Sequence, residues 1–128
     1  MEPSSDLDEL VHRVIGACLE VHRHLGPGYL ESVYEKALGT ELDRRTIRFA
    51  RQRPFEVLYK GDPVGQGRLD FLIEDRLLLE LKAVESLNAV HKAQVLSYLR
   101  ALDLQIGLLV NSNNSTLNQG LHRIINNA

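Results

Sequence analysis

The 128-residue sequence holds one cysteine, no tryptophan, four prolines and no apolar run long enough to span a membrane. A lone Cys18 excludes an intrachain disulfide framework, and no Cys/His spacing suited to zinc is present. The thiol falls inside an apolar helical pattern, where it serves as a small buried hydrophobe, and a reducing cytoplasm is the expected location. The acidic start, MEPSSDLDEL, lacks a basic n-region and an apolar h-region, so no secretory signal is expected. Charge of one sign is missing as well: 15 Lys and Arg against 17 Asp and Glu give a net charge of −2, poor for a protein that coats nucleic acid indiscriminately. Residues 61–67, GDPVGQG, lack the lysine and following helix of a phosphate-binding P-loop. What is present is a globular composition, 44% hydrophobic and 25% charged, suited to one compact domain over residues 1–128.

Leu7, Leu10, Val11, Val14, Ile15, Cys18, Leu19 and Leu25 recur at steps of three and four, which predicts an amphipathic helix over 7–25 with Ser4, Ser5 or Asp6 as N-cap. GPG at 26–28 stops it. A second helix, from Tyr29 or Leu30 to about Arg45, is expected to bury Leu30, Val33, Tyr34, Ala37, Leu38 and Leu42, making a helical hairpin with the first. Beyond it the period becomes two: Ile47 and Phe49, then Phe55, Val57 and Tyr59, then Leu69, Phe71 and Ile73. Turn formers fill 60–67 and separate two strands; residues 74–76 make the next hairpin tip. Helical spacing returns over 88–103 with Ala89, Ala93, Leu96, Leu99 and Leu102 as apolar positions. A buried strand over 104–111 and a short closing helix carrying Leu117, Leu121, Ile124 and Ile125 complete the chain. This order reads as α/β, a mixed sheet covered by helices.

Residues 77–83, LLLELKA, put a carboxylate and an ammonium inside a strand otherwise fit for burial. Glu80 and Lys82 share one strand face, opposite Leu77, Leu79 and Leu81. In the preceding strand Leu69, Phe71 and Ile73 share a face, with Asp70 on the other. Aligning the apolar faces requires paired residue numbers with an even sum, which puts Asp70 beside Glu80 or Lys82 and demands an odd-length loop or a bulge. Two carboxylates and an ammonium in one place are costly to desolvate without compensation, and a divalent cation with oxygen ligands supplies it. A structural salt bridge from Lys82 to Asp70 or Glu80 is the competing explanation. His91, Gln94 and Tyr98 form a polar stripe on the later helix that is able to face these strand ends.

The ordered set Glu31, Asp70, Glu80-Leu81-Lys82, and Gln94 with Tyr98 four residues on, resembles the PD-(D/E)xK nuclease superfamily, including the Q-x-x-x-Y element of its exonuclease-like branch. GYLESVY, with Gly28, Glu31 and Tyr34, is similar to the GxxExxY family within it. The resemblance covers residues 10–125 and implies a restriction-endonuclease-like αβββαβ core with a mixed sheet flanked by helices. It implies Asp70, Glu80 and the Leu81 carbonyl as ligands of Mg²⁺ or Mn²⁺, with Lys82 orienting the attacking water. Glu31 would complete the outer metal shell, while Gln94 and Tyr98 would position phosphate or water. Leu69 stands where the superfamily often has a proline before the aspartate.

Arg44, Arg45, Arg48, Arg51 and Arg53 form the one basic cluster, suited to phosphate contacts or to protecting a sheet edge. His22 and His24 are two apart near a helix end and fit helix-dipole complementation better than a shared metal. The expectation is a metal-dependent phosphodiesterase acting on DNA, or alternatively RNA, with a homodimer or protein partner supplying further surface. A non-catalytic nucleic-acid-binding or regulatory module on the same fold, and a purely structural interaction protein, remain open alternatives.

Overall fold

The computed structural model describes residues 4–127, so the first three residues of the acidic start lie outside it. Helix α1 (Ser5–Leu25) is capped by Ser4, whose Oγ accepts from the Leu7 N–H at 3.2 Å, and carries Asp6 and Asp8 in its first turn and His22, Arg23 and His24 in its last. Gly26, at φ +68°, ends it, and Gly28, at φ +113°, adopts a second left-handed conformation that favours glycine. Helix α2 (Glu31–Arg44) returns beside α1, and Tyr34 locks the connection: its hydroxyl donates to the Gly26 carbonyl and accepts from the Tyr29 N–H at 3.2 Å. Tyr34, Leu38 and Leu42 form its buried stripe.

Strands β1 (Phe49–Tyr59), β2 (Asp62–Ile73) and β3 (Leu77–Lys82) form an antiparallel meander; α3 (Ala89–Leu102) crosses over to β4 (Ile106–Asn111), which pairs parallel with β3. The turn α4 (Leu117–Gly120) leads into β5 (Leu121–Ile125), antiparallel to β4, and the sheet order is β1-β2-β3-β4-β5. Two apolar cores flank this sheet. One joins α1 and α2 to Phe71, Leu77, Leu79, Leu81, Leu108 and Val110; the other joins α3, through Val95 and Leu99, to Leu69, Leu72, Leu78 and Leu109. Both faces of β3 and β4 are covered, which is why those strands read as almost unbroken apolar runs.

Five expectations are corrected. The closing helix lasts only four residues, and Leu121–Ile125 is a strand: Leu121 and Ile124 meet opposite cores, as alternation on a strand requires. The turn over 60–67 shrinks to Lys60 and Gly61, whose φ values of +51° and +87° suit a tight hairpin, so β2 begins at Asp62 despite Pro63, Gly65 and Gly67. Gly67 is needed there because a Cβ would come within 2.3 Å of the Phe55 ring. Leu30, at 75% exposure, and Val33 lie outside the core because they flank the start of α2 on its open side, while Val95 replaces Ala93 as a core position of α3. Lastly, Leu69 does not share a face with Phe71 and Ile73: it packs with the α3 core.

The same exchange occurs in β1, where Phe49 packs on Phe71 toward α1 and α2 while Phe55, of the same parity, packs on Tyr98 of α3. Both strands therefore exchange faces between these residues. The cause is Gln52, a non-glycine residue at φ +51° in mid-strand. It interrupts the alternation, and the pairing Arg51↔Phe71 gives way to Arg53↔Leu69 across a position where Gln52 and Asp70 form no ladder pair.

Candidate active site

The β2–β3 ladder runs Ile73↔Leu77, Leu72↔Leu78 and Phe71↔Leu79 around a three-residue tip, so its paired numbers have the even sum that the apolar faces require. At the next step the backbones part and side chains take over. The Asp70 N–H donates to Glu80 Oε2 at 2.6 Å, and the Leu81 N–H donates to Asp70 Oδ2 at 2.8 Å. Each carboxylate thus satisfies an amide of the opposite strand that has left the ladder. Asp70 and Glu80 are held side by side in the seam.

Other elements add charge at this seam. Lys82 ends β3 and lies in Coulombic range of Asp70, Glu80 and Glu31, yet among the described residues it makes no ion pair within 4.0 Å. Glu31 opens α2 and also lies within Coulombic range of Asp70. Tyr98 reaches in from α3, edge-on to Phe55 with ring centroids 5.0 Å apart. Gln94, one turn earlier, is exposed, and His91 serves helix capping, its Nδ1 accepting from the Asn88 N–H at 3.1 Å. The expected polar stripe of α3 is therefore divided: Tyr98 meets the seam, whereas His91 is engaged at the helix start.

Burial is the first cause of the electrostatic character. It pushes the Glu80 carboxyl up to about 8, reinforced by the charges of Asp70 and Glu31 and opposed by the Asp70 N–H and Lys82. Burial also raises Asp70, with Glu35 adding repulsion while the Leu81 N–H, Lys82 and Gln52 oppose it. Glu31 is raised by burial and then by Asp70; Tyr98 is raised by burial and then by Glu80 and Asp70. The seam gathers acidic groups whose charged forms burial and mutual repulsion disfavour.

Several contributing residues escaped sequence reasoning. Asn111, fully buried at the end of β4, accepts from the Val84 N–H at 3.0 Å and donates to the Val84 carbonyl at 2.9 Å and to Asn114 Oδ1 at 2.9 Å. Ser112 donates to the Lys82 carbonyl through its N–H at 2.9 Å and its hydroxyl at 3.1 Å. Together they clamp the chain leaving β3 and so fix where Lys82 stands. A polar residue closing an apolar strand was the available signal. Glu35 and Gln52 were missed for a different reason: one stands on α2 and the other at the β1 kink, and only the tertiary packing brings them beside Asp70.

The match to a protein-family model is decisive for ancestry: residues 8–124 fit the PD-(D/E)XK nuclease superfamily. The chain belongs to that superfamily. No curated protein and no solved structure matches it. The five-stranded mixed sheet with helices on both faces agrees with the superfamily's restriction-endonuclease-like fold. Superfamily nucleases generally use divalent metals. Among the described residues no three His, Cys, Asp or Glu side chains gather to hold an ion. A resident cation would rest on two carboxylates with carbonyl and water oxygens, a set that suits Mg²⁺ or Mn²⁺ and not structural zinc.

The five arginines fall on α2, the following turn and β1, and most meet acids. Arg45 pairs with Glu41 at 2.7 Å, Arg51 with Glu35 at 2.7 Å, and Arg48 and Arg53 with Asp75 at 3.4 and 3.6 Å. Arg44 is exposed at the end of α2. No helix among the described residues is long and apolar enough to cross a membrane.

Proposed function

We propose that this protein is a Mg²⁺- or Mn²⁺-dependent phosphodiesterase acting on DNA, or alternatively on RNA. The observation that carries the reading is the seam itself: Asp70 and Glu80 lie together, both pushed toward protonation, with Lys82 near but in no ion pair among the described residues. A purely structural salt bridge would bring Lys82 into contact with one of those carboxylates. Undercompensated, crowded carboxylates fit a cation instead.

In this reading Asp70, Glu80 and the Leu81 carbonyl would hold the cation, and Glu31 would complete its outer shell. When bound, the cation supplies Lewis acidity to a phosphate oxygen and lowers the pKa of water. Lys82 donates to the attacking water or the scissile phosphate and steadies the negative charge that grows on phosphorus oxygens in the transition state. Tyr98 and Gln94 orient phosphate, and the arginines contact the backbone farther along. Gly28, Glu31 and Tyr34 fit the GxxExxY pattern: glycine for the left-handed turn, glutamate at the seam, and tyrosine to lock that turn.

The test is a calorimetric Mn²⁺ titration of wild type and Asp70→Asn, with nicking assays in Mg²⁺ and Mn²⁺. Saturable binding lost in Asp70→Asn, with nicking by wild type, supports the enzyme. Nucleic-acid binding in EDTA without nicking under any metal assigns the fold to a binding module, and absence of both binding activities contradicts each reading.

A further inference from the structure

Gln52 combines two features that ordinary strand residues lack. Its φ of +51° is an unfavourable conformation for a non-glycine side chain, maintained in mid-strand. Its side chain also joins two carboxylates. Nε2 donates to Glu35 Oε1 at 2.5 Å and to Asp70 Oδ1 at 3.4 Å. A primary amide nitrogen has two hydrogens, and these two acceptors use both. Because each acceptor is a carboxylate oxygen, the amide must present nitrogen and not its own oxygen. Glu35 is fixed in turn by Arg51, which binds its other oxygen at 2.7 Å. A continuous relay runs from Arg51 through Glu35 and Gln52 to Asp70.

The relay fixes the orientation of Asp70. The Leu81 N–H holds Oδ2, and Gln52 holds Oδ1, so the two bonds define the plane of the carboxylate. We infer that Gln52 is a positioning residue for Asp70, and that the left-handed kink in β1 exists to bring its amide to that carboxylate. The inference rests on the proposed role of Asp70 in holding a cation, but its geometric part is measurable without one. Outer partners that orient a metal-binding carboxylate commonly affect affinity by about 10-fold or more. At the kink Gln52 and Asp70 form no ladder pair, while the Asp70 side chain reaches across to the Leu81 N–H of β3.

The experiment compares wild type with Gln52→Asn and Gln52→Gly. Asparagine tolerates the left-handed conformation but is one methylene too short to make the same bridge, and glycine adopts the conformation freely. Both are expected to keep or raise the melting temperature. Amide hydrogen exchange at Leu81 is expected to accelerate about 10-fold while Leu79 is unaffected, and the Mn²⁺ dissociation constant to rise about 10-fold. Unchanged Leu81 exchange overturns the positioning role whatever the metal result. Faster Leu81 exchange with unchanged Mn²⁺ affinity overturns its importance for the cation site. Failure of wild type to bind Mn²⁺ contradicts the proposed cation site, and Leu81 exchange then decides the positioning role alone. A large fall in melting temperature with metal affinity retained would make Gln52 a structural residue only.

Discussion

Glu80 shows how one side chain carries a cost of folding that points to a ligand. The residue is 3% exposed and its pKa is raised to about 8, first by burial and then by Asp70. The folded state therefore holds a proton that the unfolded chain gives up near its ordinary value of 4.5. This contribution favours folding below that value and is lost as pH rises toward 8. Urea denaturation of the metal-free protein should show stability falling across this window, and Glu80→Gln should flatten the fall and gain at least about 1 kcal/mol at pH 8. Asp70→Asn should leave metal-free stability unchanged or higher, because it removes a charge that burial and Glu35 disfavour. Thermal melts with and without Mn²⁺ check this second expectation: lower metal-free stability with full Mn²⁺ stabilisation retained would contradict a cation site at Asp70.

The elements explain what the sequence made legible and what it concealed. ExK spacing and the required register placed Asp70 near Glu80, because strand alternation is a fixed geometric rule. The exchange of faces in β1 and β2 was hidden, since nothing in the identity of Gln52 announces a positive φ. The last strand was read as a helix because Leu121, Ile124 and Ile125 satisfy a spacing of three and four; pairing with β4 outweighed that pattern. Position also decides the weight of Asn111, whose side-chain bonds fasten Val84, Asn113 and Asn114 at the end of β4. Asn111→Ala should cost about 2–4 kcal/mol in chemical denaturation, by stranding buried polar groups and leaving a cavity. A change under about 0.5 kcal/mol would show that the clamp is dispensable.

At the scale of the whole molecule, charge placement matters more than the net value of −2. The basic cluster visible in the sequence is real in composition but shared with acids in space: Asp75 draws Arg48 and Arg53, and Glu35 draws Arg51 beside the seam. Phosphates must compete with those carboxylates. Arg48→Ala with Arg53→Ala should weaken nucleic-acid binding regardless of sequence and reduce the slope of log affinity against log salt by about 1–2. An unchanged slope in a fluorescence binding titration would assign these arginines to protecting the exposed edge strand β1.

The most direct measurement is single-turnover cleavage of a labelled duplex in Mn²⁺ by wild type and Lys82→Ala, with Mn²⁺ affinity measured on the same preparations. Lys82 stands by the carboxylates without an ion pair among the described residues, so its removal should leave metal affinity equal or higher. Cleavage should slow by about 100-fold or more, because the missing cation acts where transition-state charge develops. Equal cleavage by both proteins would contradict the assignment of Lys82, and wild type that binds Mn²⁺ and DNA without cutting would contradict the proposed chemistry of the seam.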